Sequence, residues 1–144
     1  EEERMLADAG RVIDEAASLG IPVLAMAYAA TKAGESSKDP GAAAHLARAA
    51  SELGANIVQT NYAGPPEAVR EIVRGCPVPV VLAGGPRSPS EDAFLDSLRA
   101  MMAAGLAGVS VGRRVFQSAD PAATARRIAD VVLHAERPLL AEPT

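Results

Sequence analysis

Apolar positions along the chain switch between a helical period and short continuous runs, in regular alternation. Leu6, Ala9, Val12, Ile13, Ala16 and Leu19 fall at helical spacing within residues 2–19, and Gly20 follows as a C-terminal cap. Residues 21–28 form a short apolar run that reads as a buried strand. Helical spacing returns over 42–53 through Leu46, Ala49, Ala50 and Leu53, closing on Gly54. A second strand is expected at 56–61. A helix opened by Pro65 and Pro66 then runs through Val69, Ile72 and Val73 to Gly75. The third strand is 78–83. The helix after it begins at Ser90, with Glu91 and Asp92 in its first turn, and reaches Gly105. The fourth strand is 109–111, and Asp120 with Pro121 starts the last helix, which runs to about His134.

A helix followed by four strand–helix units points to α/β architecture, with a parallel sheet and right-handed crossovers. An open doubly wound sheet and part of a (βα)₈ TIM barrel both fit. Regular unit length, and polar or glycine-rich ends on every strand, favour the barrel, of which four units make half. Residues 1–136 are read as the C-terminal half of one barrel, strands five to eight, and 137–144 as a loose tail. Residue 1 already opens in helical sequence, which suggests a chain cut from something longer.

Composition narrows the function. A formal charge of −4 argues against nucleic acid as a partner, because phosphate neutralisation needs clustered cations. No apolar run approaches the length that spans a bilayer, so no membrane role is expected. Cys76 is the single cysteine, which makes a reduced, cytoplasmic setting the default and a buried structural thiol the simplest reading. No metal site and no cofactor are expected. The two lysines, Lys32 and Lys38, lie in the long loop 29–41 near Glu35 and Asp39, where the charged amine is favoured over a nucleophilic one.

In a barrel the active site lies at the C-terminal strand ends, and each strand places a candidate there. Tyr28 ends the first and can move a proton. In the second, alternation puts Ile57, Gln59 and Asn61 on one face and Val58 and Thr60 on the other. Gln59 is then a buried amide with hydrogen-bond obligations if its face points inward. Gly84 and Gly85 follow the third strand; Gly112 and Arg113 follow the fourth. Glycines let backbone N–H groups approach a phosphate, and an arginine adds charge. His45 and His134 fall on helices, away from this end.

Four blocks carry a resemblance: LAMAY at 24–28, GANIVQTNY at 54–62, GCPVPVVLAGGP at 75–86 and GVSVGRRVFQ at 108–117. In order and spacing they resemble the archaeal-type class I fructose-bisphosphate aldolases and the related 2-amino-3,7-dideoxy-D-threo-hept-6-ulosonate synthases of the deoxyribose-phosphate aldolase superfamily. The resemblance covers residues 1 to about 135. It implies a carbon–carbon lyase or synthase acting on a phosphorylated ketose or related sugar phosphate, and a ring-like homo-oligomer. By position, Tyr28 matches the proton-transfer tyrosine. Gly84, Gly85, Gly112 and Arg113 match the phosphate loops, and Gln59 stands where the family has its Schiff-base lysine. An amine forms that imine; a carboxamide does not, so covalent catalysis is impaired as the sequence is written. Gln59 is either an introduced substitution or natural to a homologue with altered chemistry.

The family's first half-barrel, with an acidic residue on an early strand that takes part in proton transfer, is absent from the sequence. An N-terminal half-barrel, in the same longer chain or in a partner, would cover the edges that four strands leave open. Two rival functions stand beside the aldolase: a non-catalytic sugar-phosphate-binding or assembly subunit, and, ranked last, a phosphate-binding barrel isomerase or decarboxylase.

Overall fold

The structure is a computed structural model that describes residues 2–29, 39–61, 64–84 and 89–135. Its elements follow the expected alternation: α1 (Glu2–Ser18), β1 (Leu24–Ala27), α2 (Pro40–Glu52), β2 (Ile57–Thr60), α3 (Pro66–Gly75), β3 (Val80–Ala83), α4 (Glu91–Ala103), β4 (Gly108–Ser110), α5 (Arg113–Phe116) and α6 (Pro121–Leu133). The strands pair in parallel, in the sequential order β1-β2-β3-β4. That order has no reversal point, whereas a doubly wound sheet turns back on itself at one. The fold is therefore the barrel alternative, a (βα) half-barrel.

Local chemistry explains where elements start. The Asp39 carboxylate accepts from Gly41 N at 2.9 Å, so α2 begins at Pro40 rather than at 42. Ser90 Oγ accepts from Ala93 N at 3.2 Å and Asp120 Oδ1 from Ala123 N at 2.9 Å, capping α4 and α6. Pro79 has no N–H to give a ladder, and β3 begins only after it, at Val80. Gly54 and Gly105 close the turns after α2 and α4 with φ of 99° and 111°. A Cβ at Gly105 would also lie 3.2 Å from Val73 Cγ1. The short α5 was not anticipated, since four residues are too few to show a period.

Register divides the sheet cleanly. Ala25, Ala27, Val58, Thr60, Val80, Leu82 and Val109 share one face. Val58, Val80 and Leu82 on it are buried with Ile72, Phe94, Leu98 and Met102 of the helices, forming the core. The other face carries Leu24, Met26, Ile57, Gln59, Val81, Ala83 and Ser110. Here the expectation of a buried first strand is corrected. Leu24 is 44 % exposed and Met26 66 %, because among the described residues the helices cover only the opposite side of β1. Helix α1 likewise buries Ile13 but leaves Val12 and Leu19 exposed.

Polar contacts fasten the layers. Asn56 Oδ1 accepts from Val23 N at 2.7 Å, tying the entry of β1 to that of β2. Between α4 and α6, Arg127 reaches Glu91 Oε1 at 2.6 Å and also pairs with Asp92, while Thr124 Oγ1 donates to Glu91 at 3.2 Å. The Arg127 pKa is raised above its usual value, chiefly by the hydrogen bond to Asp92, with the charges of both carboxylates adding to it and desolvation opposing it. Cys76 is buried, its Sγ 3.5 Å from Ala47 O, as expected of a structural thiol.

Candidate active site

A cleft of about 500 Å³ opens at the C-terminal ends of the four strands. Tyr28, Gln59, Asn61, Gly84, Gly112 and Arg113 line it. The sheet puts them there for a simple reason. Each lies at or just beyond the C-terminal end of a strand, and parallel strands in register bring those ends to one edge. Five of the six residues singled out from the sequence thus converge. The sixth, Gly85, lies outside the described residues, as do Lys32 and Lys38 and the tail 137–144.

Gln59 is the buried member at 6 % exposure, in register with Met26 on one side and Val81 on the other. Among the described residues no fully buried side-chain nitrogen or oxygen lacks a partner. Tyr28 stands at the rim, 43 % exposed, with its hydroxyl 3.7 Å from Met26 Sδ. That contact is a weak one for a phenol and leaves the hydroxyl able to serve a ligand.

The two glycine turns meet at the far side of the cleft. Gly84 holds φ at 68°, and its N–H donates to Ser110 O at 2.8 Å, which joins the end of β3 to the end of β4. A Cβ there would meet nothing within 4 Å, so backbone conformation rather than crowding selects glycine. At Gly112 the reason is the reverse. Its φ is −102°, open to any residue, but a Cβ would lie 3.2 Å from Cε1 of Phe116. The Gly112 carbonyl accepts from Val115 N at 2.9 Å and Phe116 N at 3.1 Å, curling the chain so that the Phe116 ring folds back over the glycine. Arg113 is exposed on this turn.

Sequence reasoning missed Ser110 and Phe116 as cleft residues. Phe116 had a local signal, an aromatic four positions after a glycine. Arg114 also borders the cleft, and its contact with Phe94 had no local signal, because Phe94 lies on another helix: the guanidinium carbon sits 4.3 Å from that ring's centre. A second groove, about 560 Å³, runs along the outside of α4 and α6 past Leu95, Arg99, Arg127, Asp130 and His134. It is slightly the larger, yet its arginines are already paired, Arg99 with Asp96 and Arg127 with Glu91 and Asp92. His45 is exposed on α2, and His134 Nδ1 lies 3.1 Å from Asp130 O at the end of α6. Among the described residues there is no His, Cys, Asp and Glu cluster fit to hold a metal, and no helix is long and apolar enough to cross a membrane.

The chain resembles known proteins in sequence and in fold. The chain is 37% identical over 131 residues to the 2-amino-4,5-dihydroxy-6-oxo-7-(phosphonooxy)heptanoate synthase of Streptomyces griseus, covering 91% of this chain and 48% of that one. It is 41% identical over 121 residues to the 2-amino-3,7-dideoxy-D-threo-hept-6-ulosonate synthase of Halobacterium salinarum, covering 84% and 45%. An archaeal fructose-1,6-bisphosphate aldolase, solved with its catalytic lysine covalently bound to the carbinolamine intermediate of the substrate, superposes with a TM-score of 0.82 at 30% identity, over 91% of this chain and 53% of that one. The chain spans about half the length of these relatives. The model of the DeoC/LacD family aldolases matches residues 1–118, and the chain belongs to that family.

Proposed function

We propose that the chain is the C-terminal half of a class I aldolase-type barrel that makes or breaks a carbon–carbon bond in a phosphorylated ketose or related sugar phosphate, with the imine-forming group replaced at Gln59. One observation carries the reading: the most buried polar side chain of the strand-end cleft is Gln59, with Tyr28 on one side and the two glycine turns on the other. An amine at this point would attack the substrate carbonyl carbon, expel its oxygen as water and leave an iminium that withdraws electrons from the bond to be cleaved. The lone pair of a carboxamide nitrogen is delocalised into its own carbonyl, so Gln59 cannot start that sequence. It can donate a hydrogen bond to the substrate carbonyl, a far weaker form of polarisation.

In this reading Tyr28 transfers a proton at the bond being broken, and Gly84, Gly85, Gly112 and Arg113 hold the phosphate. Backbone N–H groups at the turns, apart from that of Gly84, which is given to Ser110 O, and the Arg113 guanidinium supply the donors that a phosphate dianion needs. The open sheet face, with Leu24 and Met26 exposed, is covered by an N-terminal half-barrel in the same longer chain or in a partner, and the assembled barrel works as a cytoplasmic homo-oligomer.

The test is Gln59→Lys in the full-length protein. The substituted protein, reduced with borohydride in the presence of fructose 1,6-bisphosphate or another ketose phosphate, is expected to gain a stable adduct at position 59 by mass spectrometry, with measurable aldol cleavage. The unsubstituted protein should give no adduct. An adduct on Lys32 or Lys38 of the unsubstituted protein would overturn the assignment. Phosphate-dependent thermal stabilisation, with no turnover even after Gln59→Lys, would instead favour a non-catalytic sugar-phosphate-binding subunit.

A further inference from the structure

Arg113 and Arg114 are neighbours in sequence, yet the structure puts them to different uses. Arg113 is exposed on the turn at the mouth of the cleft. Arg114 is half-buried and lies over the Phe94 ring, 4.3 Å from guanidinium carbon to ring centre. Phe94 is wholly buried in the core from α4. Helix α4 is the helix that follows the Gly84 loop, whereas Arg114 belongs to the turn that follows Gly112. The stack therefore ties the turn after Gly112 to α4, while the Gly84 N–H to Ser110 O hydrogen bond ties the end of β3 to the end of β4.

We propose that Arg114 is a positioning residue: by stacking on Phe94 it fastens the Gly112–Arg113 turn to α4, fixing where that turn sits and leaving Arg113 to face the anion. The role of the turns as an anion cradle rests on the function proposed above; the clamp itself does not. Geometry supports the division of labour. A four-residue helix has little hydrogen bonding of its own to hold it, and a guanidinium–aromatic stack at a partly desolvated site is worth enough to matter. Arg114 also borders the cleft, so the rival use of this side chain is direct contact with the phosphate.

Two measurements on the full-length protein separate these readings. Native-state trypsin digestion reports the turn without any ligand. Cleavage after Arg113 is expected to accelerate about tenfold in Arg114→Met, and in Phe94→Leu by a similar factor, as the loss of such a stack implies. Cleavage after Arg99, within α4, should move far less in both. An unchanged rate after Arg113, or a uniform rise at both sites in both variants, would overturn the clamp. Titration with inorganic phosphate then addresses the cradle. Arg113→Ala is expected to weaken binding most. Arg114→Met and Phe94→Leu should weaken it about fivefold each, with no further loss when combined, because both remove one contact. If Phe94→Leu leaves phosphate binding intact while Arg114→Met abolishes it and Arg114→Lys restores it, Arg114 is a ligand and the positioning role is wrong. If phosphate binding is insensitive to Arg113→Ala while the trypsin result holds, the cradle reading fails and the clamp stands.

Discussion

The two faces of the four-stranded sheet are built from the same short strands, yet they have opposite fates. Val58, Val80 and Leu82 on the helix side are at most 1 % exposed, whereas Leu24 and Met26 on the other side are 44 % and 66 % exposed. One residue of displacement along a strand separates the two environments. The helix side is a finished core, with Ile72, Phe94, Leu98 and Met102 closing over it. The open side holds the cleft, and its buried polar residue is Gln59. The finished core and the cleft therefore lie on opposite sides of one sheet, so substitutions on one side should leave the other largely untouched.

That separation can be broken in order of expected effect. Leu82→Ala removes a fully buried side chain between sheet and helices, and should cost about 2–5 kcal/mol in denaturant unfolding. A cost under about 1 kcal/mol would mean that the helix side is not the tight core described. Gly105→Ala is next. Its φ of 111° and the 3.2 Å approach to Val73 strain any side chain, and a loss of roughly 1–3 kcal/mol is expected from the same measurement. Met26→Ala is the control on the open face. In the chain by itself it should change stability by less than about 0.5 kcal/mol. If the same substitution in the full-length protein costs about 2 kcal/mol or more, the open face is covered there, as the half-barrel reading requires. The Gln59→Lys experiment stands apart from all three, since it changes chemistry on the open side.

Much of this was written in local sequence. Glycines after α2 and α4, the Ser90 and Asp120 caps and the apolar runs mark the strand–helix units, because each of those signals acts within a few residues. Strand alternation also placed Ile57 and Gln59 on one face and Val58 and Thr60 on the other. The exposure of β1 was not legible. An apolar run looks the same whether both faces are covered or one, and the answer depends on what packs against it. The Asp39 cap was readable in principle but overlooked, and α2 starts earlier than expected as a result. The pairing of Arg114 with Phe94 and the Glu91–Thr124–Arg127 group between α4 and α6 join residues far apart in the chain, which no periodicity reveals.

The sequence by itself determined the order of elements, the parallel architecture and the identity of the residues at each strand end. Those follow from backbone propensities, apolar period and turn chemistry, all of short range. Tertiary structure decided which architecture of the two was built, by pairing the strands in sequential order. It also decided that Tyr28, Gln59, Gly84, Gly112 and Arg113 share one cleft, and that Arg114, which also borders it, sits over the Phe94 ring. Those outcomes depend on register and packing between segments, and such contacts exist only once the chain has closed on itself.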